Sequence, residues 1–269
     1  MILRFLLLIA MLAPSAQANT ADFKIHQDFA EFFNEANVAG TFVLYDVSKK
    51  HFIGYNKKRA ETRFVPASTF KIANSLIGLS TGAIHSVDEI LFRYDGKPLF
   101  LKSWEHDMTL REAIKVSNVP AYQVLARRIG LERMQKHIEE LKFGNRDIGK
   151  TVDNFWLNGP LKISAIEQTR FLARLAQGHL PLPENIQASV REITKTQEGP
   201  GWALYSKTGW SGKIGWFVGW VEQDKKIYSF ALNIDVPTEA VTQVLQKRET
   251  LAKACLRALG LITTPPSPG

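Results

Sequence analysis

The chain has 269 residues, with 34 Lys and Arg against 26 Asp and Glu, and a formal net charge of +8. Its basic residues are scattered, without a block and without alternation with aromatic residues, so the charge does not favour a nucleic-acid partner. A single cysteine, Cys255, excludes an internal disulfide, and we expect it to be a buried structural residue. The six histidines show neither H-x-H nor H-E-x-x-H spacing, so we expect no metal site.

The first residues have the features of a secretory signal. One positive charge, Arg4, precedes the apolar stretch 5–12, and Ala16 and Ala18 have the small-x-small spacing of a cleavage site. The apolar stretch is far shorter than the ~20 residues that cross a bilayer. We therefore expect a signal peptide at residues 1–18 and a periplasmic or secreted protein without a membrane anchor after cleavage.

Segments rich in strand formers lie at both ends of the mature chain. An amphipathic helix is predicted around Phe23 to Phe33, followed by a hairpin of "TFVLYDV" and "HFIGYN". Near the C-terminus, "WALYSKTG", "KIGWFVGWVE" and "KIYSFALNID" predict three more strands. A last helix is predicted from about Thr238 to Gly260, where glycine suits a helix stop.

The middle of the chain predicts helices. Capping boxes open two of them, one at Thr109 with Glu112 and one at Ser164 with Glu167. We therefore predict an α+β fold in which an antiparallel sheet is flanked by the N- and C-terminal helices and a mostly helical subdomain is inserted. The sheet subdomain would comprise residues 19–63 and 197–269, the helical subdomain residues 64–196, and the active site would lie at their seam.

The stretch "RFVPASTFKIANSLIGLS" places Ser68 and Lys71 one helical turn apart. Residues three apart share a helix face, so the Lys71 amine can reach the Ser68 hydroxyl. Among Phe70 and other apolar residues the amine can lose its charge and serve as a base for serine. The alternative is a serine helix cap followed by an exposed lysine, which is common for an isolated S-x-x-K.

Two further short motifs follow in order. Ser117-Asn118-Val119 comes after one predicted helix, and Lys207-Thr208-Gly209 ends a predicted strand. Singly, these are an ordinary helix cap and an ordinary strand end. Together, S-x-x-K, S-x-N/V and K-T-G form the motif set of penicillin-recognising serine enzymes.

The residue types suit acyl transfer to serine. Ser117 can pass a proton onward, Lys207 and Thr208 offer a charge and a donor, and Gly209 lets a substrate approach the strand closely.

The mature chain resembles the class D serine β-lactamases, the oxacillinase family, over essentially its whole length. The resemblance rests on "PASTFK", "SNVPAYQ", "FGN" at 143–145, "DNFWL" at 153–157, "KTGWSG", "IGWFVGWVE" and Arg248. It implies a β-lactamase/transpeptidase-like fold and hydrolysis of penicillins and related β-lactams through a Ser68 acyl-enzyme, which confers β-lactam resistance.

The resemblance also implies residue roles. The catalytic residues would be Ser68, Lys71, Ser117 and Lys207, with the backbone N–H groups of Ser68 and Trp210 as the oxyanion hole. Lys71 would carry a carboxyl group derived from carbon dioxide (N6-carboxylysine) and act as general base in both acylation and deacylation, and the Trp156 indole would support that group. Substrate would contact Thr208, Gly209, Arg248, Val119 and Leu157. No metal or other cofactor is implied, and a homodimer is compatible with the family.

Alternatives remain for two of these residues and for the function. Without the resemblance, Trp156 is a core aromatic and Arg248 a surface cation. The chain departs from the family at two places. Many members have tyrosine where Phe143 stands, and the link from Gly209 to Trp216 is short for the family. Because this link borders the cleft, the resemblance does not indicate whether bulky β-lactams are substrates. The same motifs also fit a transpeptidase or carboxypeptidase, or a β-lactam sensor, that acylates without turnover.

Overall fold

The computed structural model describes residues 22–263. The signal peptide expected at residues 1–18 lies outside the described residues. Along residues 22–263, no helix is long and apolar enough to cross a membrane.

In the described chain, seven strands form one sheet, in the order β1-β3-β2-β9-β8-β7-β6. All neighbouring pairs are antiparallel except β1 with β3. A second, two-stranded sheet joins β4 and β5. The strands are β1 (Phe23–Ile25), β2 (Gly40–Asp46), β3 (His51–Tyr55), β4 (Ile90–Phe92), β5 (Met108–Thr109), β6 (Lys195–Gly199), β7 (Trp202–Ser211), β8 (Ile214–Gln223) and β9 (Lys226–Asp235).

Helices fill the middle of the chain and flank the sheet. They are α1 (Gln27–Glu35), α2 (Lys57–Glu61), α3 (Lys71–Ser80), α4 (Leu110–Lys115), α5 (Val119–Ile129), α6 (Leu131–Leu141), α7 (Ala165–Ala176), α8 (Glu184–Thr194) and α9 (Val241–Ala258). Short 3-10 helices occupy Ala67–Phe70, Lys102–Trp104 and Thr238–Ala240.

The sheet separates two apolar cores. On one face, α1 and α9 pack on the sheet around Phe29, Phe33 and the buried thiol of Cys255. On the other face lies a larger core, built from the remaining helices and aromatic residues such as Phe70 and Trp216. α7 is fixed to this face, since the Ser229 hydroxyl on β9 donates to the Thr169 carbonyl at 2.8 Å. The segments that carry the three motifs meet at the edge of this second core.

The predicted α+β fold is confirmed, with one local error. The helix predicted around Phe23 to Phe33 begins only at Gln27, because residues 23–25 form a strand parallel to residues 52–54 of β3. The sheet is therefore mixed at one edge. The hairpin and both capping boxes are confirmed, and Gly260 follows α9 with φ +70°. The division into two subdomains stays a prediction.

Candidate active site

Ser68 lies on a tightly held turn between Pro66 and α3. Ala67 adopts φ +51°, an uncommon conformation for a residue with a side chain. The turn is held by three hydrogen bonds: the Trp216 indole N–H donates to the Val65 carbonyl at 2.9 Å, the Ala67 N–H to the Trp156 carbonyl at 2.9 Å, and the Thr69 hydroxyl to the Pro66 carbonyl at 2.7 Å. Strained backbone that is held by its surroundings is concentrated at functional sites, so this turn is a candidate part of the active site.

The amine of Lys71 is fully buried and donates a hydrogen bond to Ser68 Oγ at 2.7 Å. The alternative of an exposed lysine after a serine cap is therefore wrong. Burial, and then the nearby charge of Lys207, hold the pKa of Lys71 well below its usual value. A neutral amine beside a serine hydroxyl can accept its proton.

Ser117 connects α4 to α5 and also has a positive φ, +56°. It does not cap the helix, because the Asn118 side chain does so by accepting from the Ala121 N–H at 2.8 Å. This leaves the Ser117 hydroxyl free to accept a hydrogen bond from Lys207 Nζ at 3.0 Å. Burial and the charge of Arg248 lower the pKa of Lys207 to about 7, so this lysine exchanges its proton near neutrality.

The second half of β7 has an open edge. β6 pairs with β7 only as far as Tyr205, so the residues from 206 onward face the turn that carries Ser68. Gly209 makes this approach possible, because a Cβ there would lie 3.0 Å from Thr69 Cγ2 and 3.1 Å from the Pro66 carbonyl oxygen. From the sequence we expected the missing side chain of Gly209 to let a substrate approach the strand. The structure shows that it also lets the turn that carries Ser68 pack against the strand.

Arg248 reaches this strand from α9. Its guanidinium donates to the Gly209 carbonyl at 3.0 Å, and burial lowers its pKa to about 10. The side chain is half-buried and lines the cleft, so the description of Arg248 as an ordinary surface cation is wrong. A cation held in this way suits the recognition of a carboxylate.

A cleft of about 420 Å³ joins these elements. The residues predicted from the sequence that line it are Ser68, Ser117, Val119, Thr208, Gly209, Trp210 and Arg248. Lys71 lies beneath the cleft floor. Leu157 and Trp156 lie outside the lining, although the Leu157 carbonyl accepts a hydrogen bond from the Ser211 hydroxyl at the end of β7.

Trp156 is fully buried, and its ring stacks on Phe70 with the centroids 5.6 Å apart. Its indole N–H has no hydrogen-bond partner among the described residues. A buried donor without a partner is costly, which makes this atom a candidate contact for a missing acceptor. Phe143 is also buried and packs edge-to-face on Phe70, in keeping with a structural role.

Sequence reasoning missed part of the cleft wall. Phe100, Leu101 and Trp104 line the cleft, and Phe100 is 79 % exposed. The signal was weak, since they lie in a segment with little regular structure. Tyr122, whose ring lies 5.3 Å from Lys71 Nζ, could have been found, because helical spacing places it on the face of α5 shared with Val119.

Comparisons with known proteins agree with this geometry. Residues 40–257 match the family model for the penicillin binding protein transpeptidase domain. The chain is 41% identical over 237 residues to the β-lactamase OXA-5 of Pseudomonas aeruginosa, covering 86% of this chain and 87% of the relative. The chain belongs to the class D β-lactamases.

Other class D β-lactamases give the same result. OXA-48 of Klebsiella pneumoniae is 40% identical over 230 residues, which cover 81% of this chain and 86% of the relative. The crystal structure of FUS-1 (OXA-85), a class D β-lactamase from Fusobacterium nucleatum subsp. polymorphum, superposes with a TM-score of 0.86 at 44% identity, covering 89% of this chain and all of that one. The predicted family and its β-lactamase class are thereby confirmed.

Proposed function

We propose that this class D β-lactamase opens the ring of penicillins and related β-lactams by forming an acyl-enzyme on Ser68, which water then clears, and that it confers β-lactam resistance in this way. The observation that carries the proposal is the 2.7 Å hydrogen bond between the buried Lys71 amine and Ser68 Oγ. At this distance a base carried on the Lys71 side chain can take the serine proton as the hydroxyl attacks the ring carbonyl.

We propose further that Lys71 carries a carboxyl group derived from carbon dioxide. Only a neutral amine adds to carbon dioxide, and burial favours the neutral form of Lys71. The residues present fit the group, because the buried indole N–H of Trp156 lacks a partner within residues 22–263 and Phe70 and Val119 provide an apolar wall. When bound, the group supplies a general base for both steps, a contribution of roughly 10²–10⁴-fold.

The remaining residues of the site have complementary roles in this proposal. The backbone N–H groups of Ser68 and of Trp210, on the open edge of β7, stabilise the oxyanion. Lys207 and Ser117, joined at 3.0 Å, deliver a proton to the leaving ring nitrogen, and a Lys207 pKa of about 7 suits a donor at neutral pH.

The substrate carboxylate binds between Arg248 and Thr208, and Gly209 allows the substrate to lie close to the strand. Val119 and Leu157 shape the pocket of the deacylating water. No metal or further cofactor takes part in the proposed chemistry.

The test is turnover of a chromogenic cephalosporin by the purified protein with and without bicarbonate. We expect many turnovers per enzyme, an increase with bicarbonate, and loss of turnover in both Ser68→Ala and Lys71→Ala. Lys58→Ala is the matched control, because Lys58 is exposed and lies outside every motif.

A single stoichiometric burst that bicarbonate does not change would contradict the proposal. It would indicate a transpeptidase-like enzyme or a sensor that is acylated without release.

Export and assembly complete the proposal. The signal-like residues 1–18 support a periplasmic location, and the family is compatible with a homodimer. Cell fractionation and the solution mass of the exported protein test both points. Activity confined to the cytoplasm would contradict the first, and a monomer mass at all concentrations the second.

A further inference from the structure

Thr69 lies between the turn that carries Ser68 and strand β7. Its side chain is buried and does not line the catalytic cleft. Its Cγ2 methyl group faces Gly209, because a Cβ built on that glycine would lie 3.0 Å from the methyl carbon. The same Cβ would lie 3.1 Å from the Pro66 carbonyl oxygen and 3.2 Å from the Thr69 backbone nitrogen. Of these three atoms, the methyl group alone belongs to a side chain, so Thr69 controls how closely turn and strand pack.

Hydrogen bonds fix the direction of this methyl group. The Thr69 hydroxyl donates to the Pro66 carbonyl at 2.7 Å and accepts from the Gln168 side-chain amide on α7 at 2.7 Å. Gln168 is itself buried. Because hydroxyl and methyl group share one β-carbon, holding the oxygen in place also sets the position of the methyl group. The turn is thereby anchored to α7, and the methyl group is directed at β7.

The two backbone donors of the proposed oxyanion hole flank this contact. Ser68 precedes Thr69 in the turn, and Trp210 follows Gly209 in β7. To stabilise an oxyanion, both N–H groups must lie about 2.7–3.1 Å from the same oxygen. Because each donor is one residue from the contact, the distance between turn and strand determines whether both donors reach that oxygen.

We propose that Thr69 is a positioning residue for the oxyanion hole: its methyl group is the spacer that sets the distance between the N–H groups of Ser68 and Trp210. The proposal rests on the proposed function, because it concerns the hole in which that reaction stabilises its oxyanion. The hydroxyl has a different part, which is to anchor the turn to α7. Substitution can therefore separate the two parts of this side chain.

The test compares Thr69→Ser, which removes the methyl group, with Thr69→Val, which replaces the hydroxyl by a second methyl group. In Thr69→Ser the spacer is lost, so we expect kcat to fall roughly 10–50-fold, with KM within about threefold. In Thr69→Val the spacer remains, and we expect kcat within about threefold of the wild type. The Gln168 amide then loses its acceptor, so the melting temperature should fall more in Thr69→Val than in Thr69→Ser.

Thr41→Ser is the matched control. Thr41 is buried on β2 and does not line the cleft, and its hydroxyl donates to the Tyr55 carbonyl at 2.5 Å. This variant removes one buried methyl group outside the site, so we expect a lower melting temperature and the wild-type kcat. The proposal is overturned when Thr69→Ser keeps the wild-type kcat, when Thr69→Val loses as much kcat as Thr69→Ser, or when Thr41→Ser reproduces the loss.

Phenylboronic acid tests the hole without turnover. The Ser68 oxygen adds to boron, the serine proton passes to the base on Lys71, and no group leaves, so a boron hydroxyl of the tetrahedral adduct occupies the hole. Calorimetry should give an affinity roughly 10–50-fold lower in Thr69→Ser and within about threefold of the wild type in Thr69→Val. Equal affinities in the three proteins would overturn the proposal.

The same titration separates this proposal from the proposed function. A wild-type protein that binds phenylboronic acid but does not turn over a β-lactam would reject the hydrolytic function. A weaker boronic acid adduct in Thr69→Ser alone would still support the spacer role.

Discussion

Replacing Trp156 by phenylalanine tests the carboxylated lysine through a single hydrogen-bond donor. The Trp156→Phe variant keeps an aromatic ring beside Phe70 and removes the indole N–H, which is buried and has no partner among the described residues. When a carboxyl group occupies Lys71, this N–H gains an anionic acceptor. The variant should therefore bind carbon dioxide more weakly while its unmodified form is little affected.

The expected magnitude follows from the type of bond. A hydrogen bond to a charged group contributes about 1.5–3 kcal/mol, and each 1.4 kcal/mol changes an equilibrium tenfold. The bicarbonate concentration for half-maximal activity should therefore rise roughly 10–150-fold in Trp156→Phe. The smaller ring also leaves a cavity, but this cost is the same with and without bicarbonate. Comparing the activity of each protein with and without bicarbonate therefore removes the cost of the cavity.

The assay titrates bicarbonate into protein depleted of carbon dioxide and follows the initial rate of β-lactam hydrolysis. Thermal unfolding in the same buffers gives an independent measure, since bicarbonate should raise the melting temperature of the wild type more than that of the variant. Equal half-activating concentrations in the two proteins, within a factor of two, would refute the assignment of Trp156 to this group.

Three further predictions concern β7 and its neighbours. Arg248→Ala should raise KM for penicillins roughly 10–100-fold with little change in kcat, because it removes a carboxylate contact; steady-state kinetics decide this, and a loss confined to kcat would contradict it. For Lys207, the folded-state pKa of about 7 lies below that of the unfolded chain, so the unfolded state binds more protons between pH 7 and 10. Stability should therefore rise with pH over that window, by up to about 1.4 kcal/mol per unit, and Lys207→Gln should flatten the curve in urea unfolding. Gly209→Ala should lower both melting temperature and activity, because the added Cβ meets Thr69 at 3.0 Å; an unchanged melting temperature would show that the turn yields freely.

The sequence predicted the elements whose signals are local. The capping boxes at Thr109 and Ser164 mark the first residues of α4 and α7 because side chain and backbone groups of the same turn satisfy each other. The parallel strand β1 was missed, since its partner β3 lies about thirty residues further on and three residues carry no periodicity.

For the site, the sequence predicted which residues come together but not all of the contacts between them. The motifs identified the side chains near Ser68, because each motif keeps its residues within one turn or strand. They could not indicate that Asn118, rather than Ser117, caps α5, since both residue types are good caps. Nor could they indicate the contact between Gly209 and Thr69, which depends on two segments far apart in the chain.

The open edge of β7 has a consequence for how the protein behaves among other copies of itself. A strand edge with unpaired backbone groups is a place where chains aggregate by adding a strand, and most proteins cover or blunt such edges. Here residues 208–210 of the edge line the cleft, and Arg248 lies beside them. The Arg248 guanidinium hydrogen-bonds a carbonyl of this edge, and its charge repels another copy of the same surface. Arg248, which we propose binds the substrate carboxylate, thus also protects this edge against self-association.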